Sequence, residues 1–271
     1  MDALRHIKRI TGQRKKIGHG GTIDPLASGV LPICFGQATR LMDHVVDSGK
    51  TYRAEITLGI STTTYDAEGE VIKSVDFPGL TREMVENSIR PWIGLVNQTP
   101  PMYSAIKVGG HRLYKLARAG IEVKREARAV KISEIRILEF GYPKLVIEVD
   151  CGKGTYIRSL AHDLGESLGC GGHISDLVRL VCGSFSSEQS VTLEQLEEVA
   201  ESPEGWQKHL YPLDRVLMHL GSITLGSQAE KQLRHGQALF LDGAEAGSKD
   251  QEERRVYNSQ GIFMGLVKFD R

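Results

Sequence analysis

One segment organises the sequence: residues 18–32 read GHGGTIDPLASGVLP. Three glycines precede Asp24 in this segment and Pro25 follows it, so the backbone turns freely before the acid and is fixed after it. Within residues 18–25 the glycines and the Asp-Pro step argue against regular secondary structure, which predicts an ordered loop there. The side chain of Asp24 then has two possible roles. It caps the segment that follows, as Asp-Pro steps often do, or it presents a carboxylate to a ligand.

The composition is that of a globular protein. The chain has 271 residues, 40% hydrophobic and 25% charged, which predicts one large domain with a small companion. We place the boundary near Leu213, so that residues 1–212 and 213–271 form the two domains. Lys plus Arg and Asp plus Glu both number 34, so no global field draws the protein to nucleic acid or to a membrane. Binding to nucleic acid would have to come from a local patch.

The cysteines and the apolar runs indicate the compartment. The four cysteines form no C-x-x-C pair, and only Cys170 and His173 have a ligand-like spacing, so we predict neither a metal site nor a disulfide framework. The first residues lack an apolar signal core, and no apolar run approaches the roughly 18 residues that a membrane span needs. We therefore expect a cytoplasmic protein with no membrane partner.

Periodicity predicts a mixture of strands and helices. Residues 52–58 alternate as a half-buried strand that begins at Tyr52, and residues 130–140 and 144–151 are predicted to pair as strands. Residues 152–154 lead into a helix that carries Arg158 in its first turn. An arginine there either binds a carboxylate or phosphate with two nitrogens or lies on the surface.

Residues 107–131 contain eight basic and two acidic side chains, a local charge of plus six in a neutral protein. Tyr103 and Tyr114 lie among these charges, a combination that suits a phosphate backbone with bases to stack. The alternative is a solvated basic face.

Common nucleotide and hydrolase motifs are absent: residues 152–155 lack the P-loop spacing, and no glycine flanks Ser28 at the two-residue spacing of a nucleophile elbow.

Residues 18–32 closely resemble the signature of the TruB family of tRNA pseudouridine synthases. The likeness extends from about residue 18 to 185, and the final segment is similar to the small β-rich domain of bacterial members. The further matching segments are KTYRA (50–54), TYDAEG (64–69), QTPPMYSAIK (98–107), GIEV (120–123) and GTYIRSL (154–160).

The resemblance implies the pseudouridine synthase fold. This is an α/β (α+β) architecture with a mixed, largely antiparallel central sheet, flanking helices and a small β-rich C-terminal RNA-binding domain. The implied activity is isomerisation of uridine 55 in the TΨC loop of tRNA. It implies no cofactor, no guide RNA and no partner other than tRNA, and we expect a monomer.

The resemblance also assigns roles in the reaction. Asp24 is similar to the family carboxylate that lies beside the ribose and either adds to C1′ or removes the 2′ proton. Arg158 would pair with Asp24 and hold it ionised. Tyr52 would stack on the flipped base and help to move the C5 proton.

Further residues are implied to bind the substrate. His19 matches the family position that wedges into the loop when the uridine leaves its stack. Tyr156 and Leu177 would line the base, Leu177 as an apolar wall. Lys107 and Arg112 in the basic segment would hold the tRNA backbone.

The chain departs from the family at its start. Members begin with a strand that contains a Lys-Pro-x-Gly element, whereas this sequence opens at the following helix. We expect that strand to be missing, either from the protein or from a truncated gene. Three alternatives stay open: a noncatalytic RNA-binding or tRNA-folding protein of the same fold, a guide-RNA-dependent member, and a glycoside hydrolase that uses Asp24 with another carboxylate.

Overall fold

The computed structural model describes residues 2–13, 16–200, 205–240 and 251–269. The α-helices are α1 (Asp2–Thr11), α2 (Met42–Asp47), α3 (Arg82–Ile89), α4 (Leu113–Arg118), α5 (Ile157–Ser167), α6 (Leu193–Ala200) and α7 (Ser227–Arg234). The strands are β1 (Ile17–His19), β2 (Ser28–Gly29), β3 (Ile33–Phe35), β4 (Lys50–Leu58), β5 (Ile60–Thr62), β6 (Val71–Ser74), β7 (Gly94–Gln98), β8 (Lys107–Val108), β9 (His111–Arg112), β10 (Arg128–Gly141), β11 (Lys144–Cys151), β12 (Gly172–Cys182), β13 (Phe185–Ser186), β14 (Ser222–Leu225), β15 (Glu253–Asn258) and β16 (Phe263–Lys268). Short 3-10 helices cover Gly36–Leu41, Arg90–Trp92, Ser187–Gln189, Trp206–His209 and Leu213–Leu217.

The chain folds into two compact units. The larger contains residues 19–33 and 45–190, and the smaller contains residues 1–18, 34–44 and 191–271. The division near Leu213 stays a prediction.

A seven-stranded sheet forms the centre of the larger unit. Six strands follow the order β13-β12-β4-β11-β10-β7, and each pairs with its neighbours in antiparallel fashion. The short strand β2 pairs with β12 in parallel. This mixed, largely antiparallel sheet with flanking helices confirms the predicted fold class.

Alternating side chains explain why the sheet has one buried face. On β4, Ala54, Ile56 and Leu58 are buried while the residues between them are partly exposed, as the sequence pattern predicts. Helix α5 packs Leu160 and Leu164 into the same core cluster. The helix that begins after residues 152–154 is thereby fixed against strands β4 and β12.

Two helix starts follow their capping signals. Thr81 accepts a hydrogen bond from the Met84 N–H (3.3 Å) and caps α3. In α6, the Thr192 hydroxyl accepts from the Gln195 N–H (3.2 Å), and the Gln195 side chain accepts from the Thr192 N–H (2.9 Å).

The smaller unit contains a second sheet. Strand β14 pairs with β15 in parallel, and β15 pairs with β16 in antiparallel fashion. Ile223, Leu225 and Val256 form its buried core, with Ala229 and Leu233 of α7 packed against them. The predicted β-rich C-terminal segment is confirmed. In the part of the chain that the structure describes, no helix combines the length and apolarity needed to cross a membrane.

The prediction that residues 18–25 lack regular structure is wrong in part. Gly18 and His19 belong to β1, and β2 forms a few residues beyond the predicted stretch. The loop's backbone groups find partners, because the Gly20 N–H donates to the Pro32 carbonyl at 2.8 Å. Glycine turns and short strands coexist in this loop because its ends are hydrogen-bonded.

The central strand gives a test of the core. Ile147 is 0% exposed and pairs with Ile137 and Ala54 on the two neighbouring strands. Ile147→Ala should lower the free energy of unfolding by about 2–5 kcal/mol, because it leaves a cavity between paired strands. Urea titration followed by circular dichroism measures this change. Leu95→Ala is the control, since Leu95 is 78% exposed, and an equal loss in both variants would contradict the assignment of the core.

Candidate active site

Asp24 presents its carboxylate from a turn that does not need it. The Ala27 N–H closes this turn on the backbone carbonyl of Asp24 at 3.0 Å. The side chain is therefore free for another partner, and it is 32% exposed. Of the two roles that the sequence leaves open, the geometry favours the presented carboxylate.

The partner of Asp24 is Arg158, the second residue of α5. Arg158 Nε donates to Asp24 Oδ2 at 2.9 Å, and Nη2 donates to Oδ1 at 2.6 Å. Both carboxylate oxygens are thus held by one planar guanidinium, whose side chain is only 5% exposed. The pairing of Asp24 with Arg158 is present as the resemblance implies.

The remaining donors of Arg158 also have partners. Nη1 donates to the Thr64 carbonyl at 3.1 Å and lies 3.3 Å from Asp66 Oδ2, and Nη2 donates to the Tyr103 carbonyl at 3.0 Å. A guanidinium has five N–H donors, and these contacts together with those to Asp24 match that number. The orientation of Arg158 is therefore set from several sides.

Asp66 is a second, buried carboxylate on Arg158. Its Oδ1 accepts from the Thr64 hydroxyl at 2.5 Å and from the Glu68 N–H at 3.1 Å, while Oδ2 faces Arg158. Sequence reasoning did not single out Asp66 as a site residue. The only available signal was its place inside the matching segment 64–69.

A stacked pair supports the turn that carries Asp66. Tyr65 has a left-handed backbone (φ 64°), and its ring stacks on His162 with the centroids 3.9 Å apart and the planes at 8°. Burial lowers the pKa of His162, which favours the neutral imidazole. His162 lies one helical turn after Arg158 on α5, so the helix contacts residues 64–66 through both side chains.

Gln98 fixes the start of α5. Its side-chain amide donates to the Tyr156 carbonyl at 2.9 Å and accepts from the Tyr156 N–H at 2.7 Å. Next to it, the Ser159 hydroxyl donates to the Thr99 carbonyl at 2.8 Å. Gln98 and Thr99 thus fix the end of the helix from which Arg158 projects. Gln98 also escaped the sequence analysis, although it begins the matching segment 98–107.

Four side chains of β4 and β12 share the buried face of the sheet. In the register of β4 and β12, Tyr52 lies opposite Arg179, and Ala54 lies opposite Leu177. Burial raises the pKa of the Tyr52 hydroxyl, and the adjacent Arg179 guanidinium opposes that rise. Tyr52 and Leu177 both belong to or pack against the main core cluster, so each has a packing role besides any contact with a ligand. Burial likewise raises the pKa of the Tyr156 hydroxyl.

Three other predicted site residues do not bind the Asp24–Arg158 pair. His19 ends β1, and its Nδ1 is buried without a partner among the described residues. Lys107 and Arg112 face each other across the β8–β9 hairpin, where both are exposed. No hydrogen bond or ion pair joins these three side chains to Asp24 or Arg158 within the described residues. Their roles stay predictions.

The basic hairpin is nevertheless tied to the site through the backbone. The Tyr103 carbonyl binds Arg158, and the Ser104 carbonyl accepts from the Tyr114 N–H at 3.1 Å. Most basic side chains of residues 107–131 are exposed. Arg125 is the exception, because it donates to the Pro100 carbonyl at 3.1 Å.

Among the described residues, no group of three or more His, Cys, Asp or Glu side chains could hold a metal ion. Cys170 and His173, the pair with ligand-like spacing, have other partners. His173 Nδ1 hydrogen-bonds to the Ile60 carbonyl at 2.9 Å, and Cys170 Sγ lies 3.3 Å from the Gly171 carbonyl oxygen.

Two family descriptions match the sequence. "TruB family pseudouridylate synthase (N terminal domain)" matches residues 8–157, and "tRNA pseudouridylate synthase B C-terminal domain" matches residues 158–220. Together they cover most of the chain.

Relatives and solved structures agree with these matches. A tRNA pseudouridine synthase B of Clostridium perfringens (strain 13 / Type A) is 40% identical over 271 residues, which cover 99% of this chain and 90% of that protein. One of Clostridioides difficile (strain 630) is 42% identical over 276 residues, covering 100% of this chain and 90% of the relative. A crystal structure of a Cbf5-Nop10-Gar1 complex has a chain with a TM-score of 0.76 and 27% identity, covering 99% of this chain and 74% of that one.

Helix α5 also carries an acid that gives a pH-dependent test of stability. Burial, with a smaller effect of the Glu166 carboxylate, raises the pKa of Asp163 from its usual 3.8 to about 6. The folded state then binds more protons than the unfolded state between these values, so this group makes stability fall as the pH rises through that window.

Asp163→Asn should remove that fall. Its stability relative to the wild type should increase from pH 4 to pH 7, as measured by urea unfolding at several pH values. Glu166→Gln, which removes only the smaller cause, should leave most of the wild-type slope. A constant difference between Asp163→Asn and wild type across the range would contradict the raised pKa.

Proposed function

The chain belongs to the TruB family of pseudouridylate synthases, and from this we propose that it isomerises uridine 55 in the TΨC loop of tRNA. Its family and its relatives support tRNA pseudouridine synthesis in general. The observation that carries the proposal is the Asp24–Arg158 pair, in which a buried arginine holds both oxygens of a partly exposed carboxylate.

The reaction exchanges one bond to the sugar for another. The C1′–N1 glycosidic bond breaks, the uracil turns over, and C1′ joins C5 of the same base. C5 then loses its proton and N1 carries one, so the product has the same atoms as the substrate. To break the C1′–N1 bond the reaction needs a carboxylate beside the ribose. It also needs a closed site that retains the detached base.

Asp24 fits the first requirement. One N–H of Arg158 binds each carboxylate oxygen, so each oxygen keeps a lone pair that can face the ribose. From this position Asp24 either adds to C1′ or removes the 2′ proton. Arg158 in turn keeps both oxygens in a fixed plane, which favours one approach to the sugar.

The sheet fits the second requirement. Tyr52 and Leu177 lie on the same face of adjacent strands, where the tyrosine ring would stack on the flipped uracil and the leucine would form an apolar wall. The raised pKa of Tyr52 favours the protonated hydroxyl, so Tyr52 can take the C5 proton only as it passes its own hydroxyl proton to another acceptor. Tyr156, at the start of α5, would complete this pocket.

The RNA contacts in the proposal come from His19 and from the basic hairpin. Base flipping costs a few kcal/mol, and His19 would occupy the space that the uridine leaves. Lys107 and Arg112 would contact phosphates, since they are exposed and adjacent on β8 and β9. We propose that the protein does this as a cytoplasmic monomer, without a guide RNA.

The test of the function is a tRNA transcript labelled with tritium at C5 of uridine. Wild-type protein should release one tritium per tRNA without any added guide RNA. A transcript with cytidine at position 55 should release none. Asp24→Asn should lower release by about 100-fold or more, because it removes the reacting carboxylate. Asp47→Asn is the control, since that exposed acid pairs with Lys153.

Filter binding of the same tRNA separates the alternatives. If wild-type protein bound tRNA but released no tritium, the noncatalytic RNA-binding function would replace the proposal. Release from a position other than 55 would retain the synthase and reject the proposed target.

Arg158→Lys tests the pair itself. A lysine has one nitrogen in place of the planar fork, so Asp24 would lose one fixed oxygen and shift. We expect the single-turnover rate constant to fall by about 100-fold while tRNA affinity changes little. Arg136→Lys, a partly exposed arginine in surface ion pairs, is the matched control. Equal rates for Arg158→Lys and wild type would show that the fork is not needed.

A further inference from the structure

Arg179 is a buried arginine without an assigned role. We propose that it is a positioning residue, which holds both ends of the loop that carries Asp24 and links that loop to Tyr52. This inference rests on the proposed function for its effect on catalysis, whereas its effect on the loop can be measured without activity.

The side chain of Arg179 binds the loop at two separate places. It is 1% exposed. Nη2 and Nη1 donate to the carbonyls of Gly21 (3.2 Å) and Thr22 (3.3 Å), just before Asp24, and Nε donates to the Val30 carbonyl (2.7 Å), well after it. One rigid guanidinium therefore sets the distance between the start and the end of the loop.

The backbone of Arg179 binds the loop as well. The Val30 N–H donates to the Arg179 carbonyl at 2.9 Å, and Gly29 pairs with Arg179 in the parallel β2–β12 bridge. Gly29 has a φ of +99°, and a Cβ added there would lie 2.2 Å from the Arg179 carbonyl oxygen. Glycine is required at this position because the two backbones approach so closely.

The same guanidinium faces Tyr52. The two residues are directly opposite in the β4–β12 register, so their side chains lie on one face of the sheet. The guanidinium also opposes the rise in the pKa of the Tyr52 hydroxyl. A movement of Arg179 would therefore displace the loop and the tyrosine together.

The partners of Arg179 explain why the residue is an arginine. They are three carbonyl oxygens, and no carboxylate forms an ion pair with Arg179 within the described residues. Three carbonyls at different points need three nitrogens in a fixed plane, which lysine cannot supply. The side chain thus acts through its geometry, as a support for the residues that meet the substrate.

The experiment compares Arg179→Lys and Arg179→Met with Arg53→Met. Arg53 is a neighbouring, partly exposed arginine on the other face of β4, so it controls for loss of an arginine near the sheet. The measurements are the single-turnover rate constant, the dissociation constant for tRNA, and hydrogen exchange of the loop amides. The Val30 amide reports on the loop, and the Ile147 amide reports on the intact central sheet.

Both Arg179 variants should exchange the Val30 amide faster, with the Ile147 amide still protected. Their rate constants should fall by about 100-fold, because a displacement near 1 Å has that cost. The dissociation constant for tRNA should change less than about threefold, and Arg53→Met should match the wild type. A wild-type rate or unchanged loop exchange in Arg179→Lys would overturn the proposal.

Gly29→Ala keeps the inference testable if the arginine variants do not fold. This substitution forces the loop backbone away from the backbone of Arg179 while the arginine side chain is intact. It should therefore give the same fast exchange of the Val30 amide and the same slow turnover. A normal rate in folded Gly29→Ala would overturn the proposal. Asp24→Asn separates the two proposals, because it should lose turnover while the loop keeps its wild-type protection.

Discussion

The site depends on the guanidinium of Arg158, because burying a cation is costly and partners for its charge and its donors offset that cost. Two carboxylates, Asp24 and Asp66, and two backbone carbonyls meet that requirement. The same contacts that satisfy the arginine also position Asp24. The bonds that stabilise the buried arginine thus also orient the carboxylate that we propose as the reacting group.

The surrounding fold delivers these groups from distant parts of the chain. The central sheet supports α5, α5 projects Arg158, and Gln98 fixes the helix start from the neighbouring strand β7. On the adjacent sheet face, Tyr52 and Leu177 gain their placement from the register of β4 and β12. Each of these elements belongs to the core or to the sheet, and the side chains of the candidate site project from them.

The sequence predicted those parts of the fold that leave a local pattern. Alternation located β4 and the β10–β11 pair. Asp24 and Arg158 could be found because they stand in distinctive segments. Asp66 and Arg179 could not be assigned, since one pairs with a residue far along the chain and the other binds carbonyls, which every residue has. Strand β1 was missed because three residues are too few to show an alternating pattern.

The double attachment of residues 21–30 to Arg179 has a consequence for how this loop can evolve. Apart from Gly29, a side chain between the two attachment points can be exchanged without altering the distance between them. An insertion or a deletion cannot be absorbed in this way, because it would pull Gly21 or Val30 off the guanidinium or force Gly29 out of its bridge. Arg179 therefore constrains the number of residues in the loop more tightly than it constrains most of their side chains.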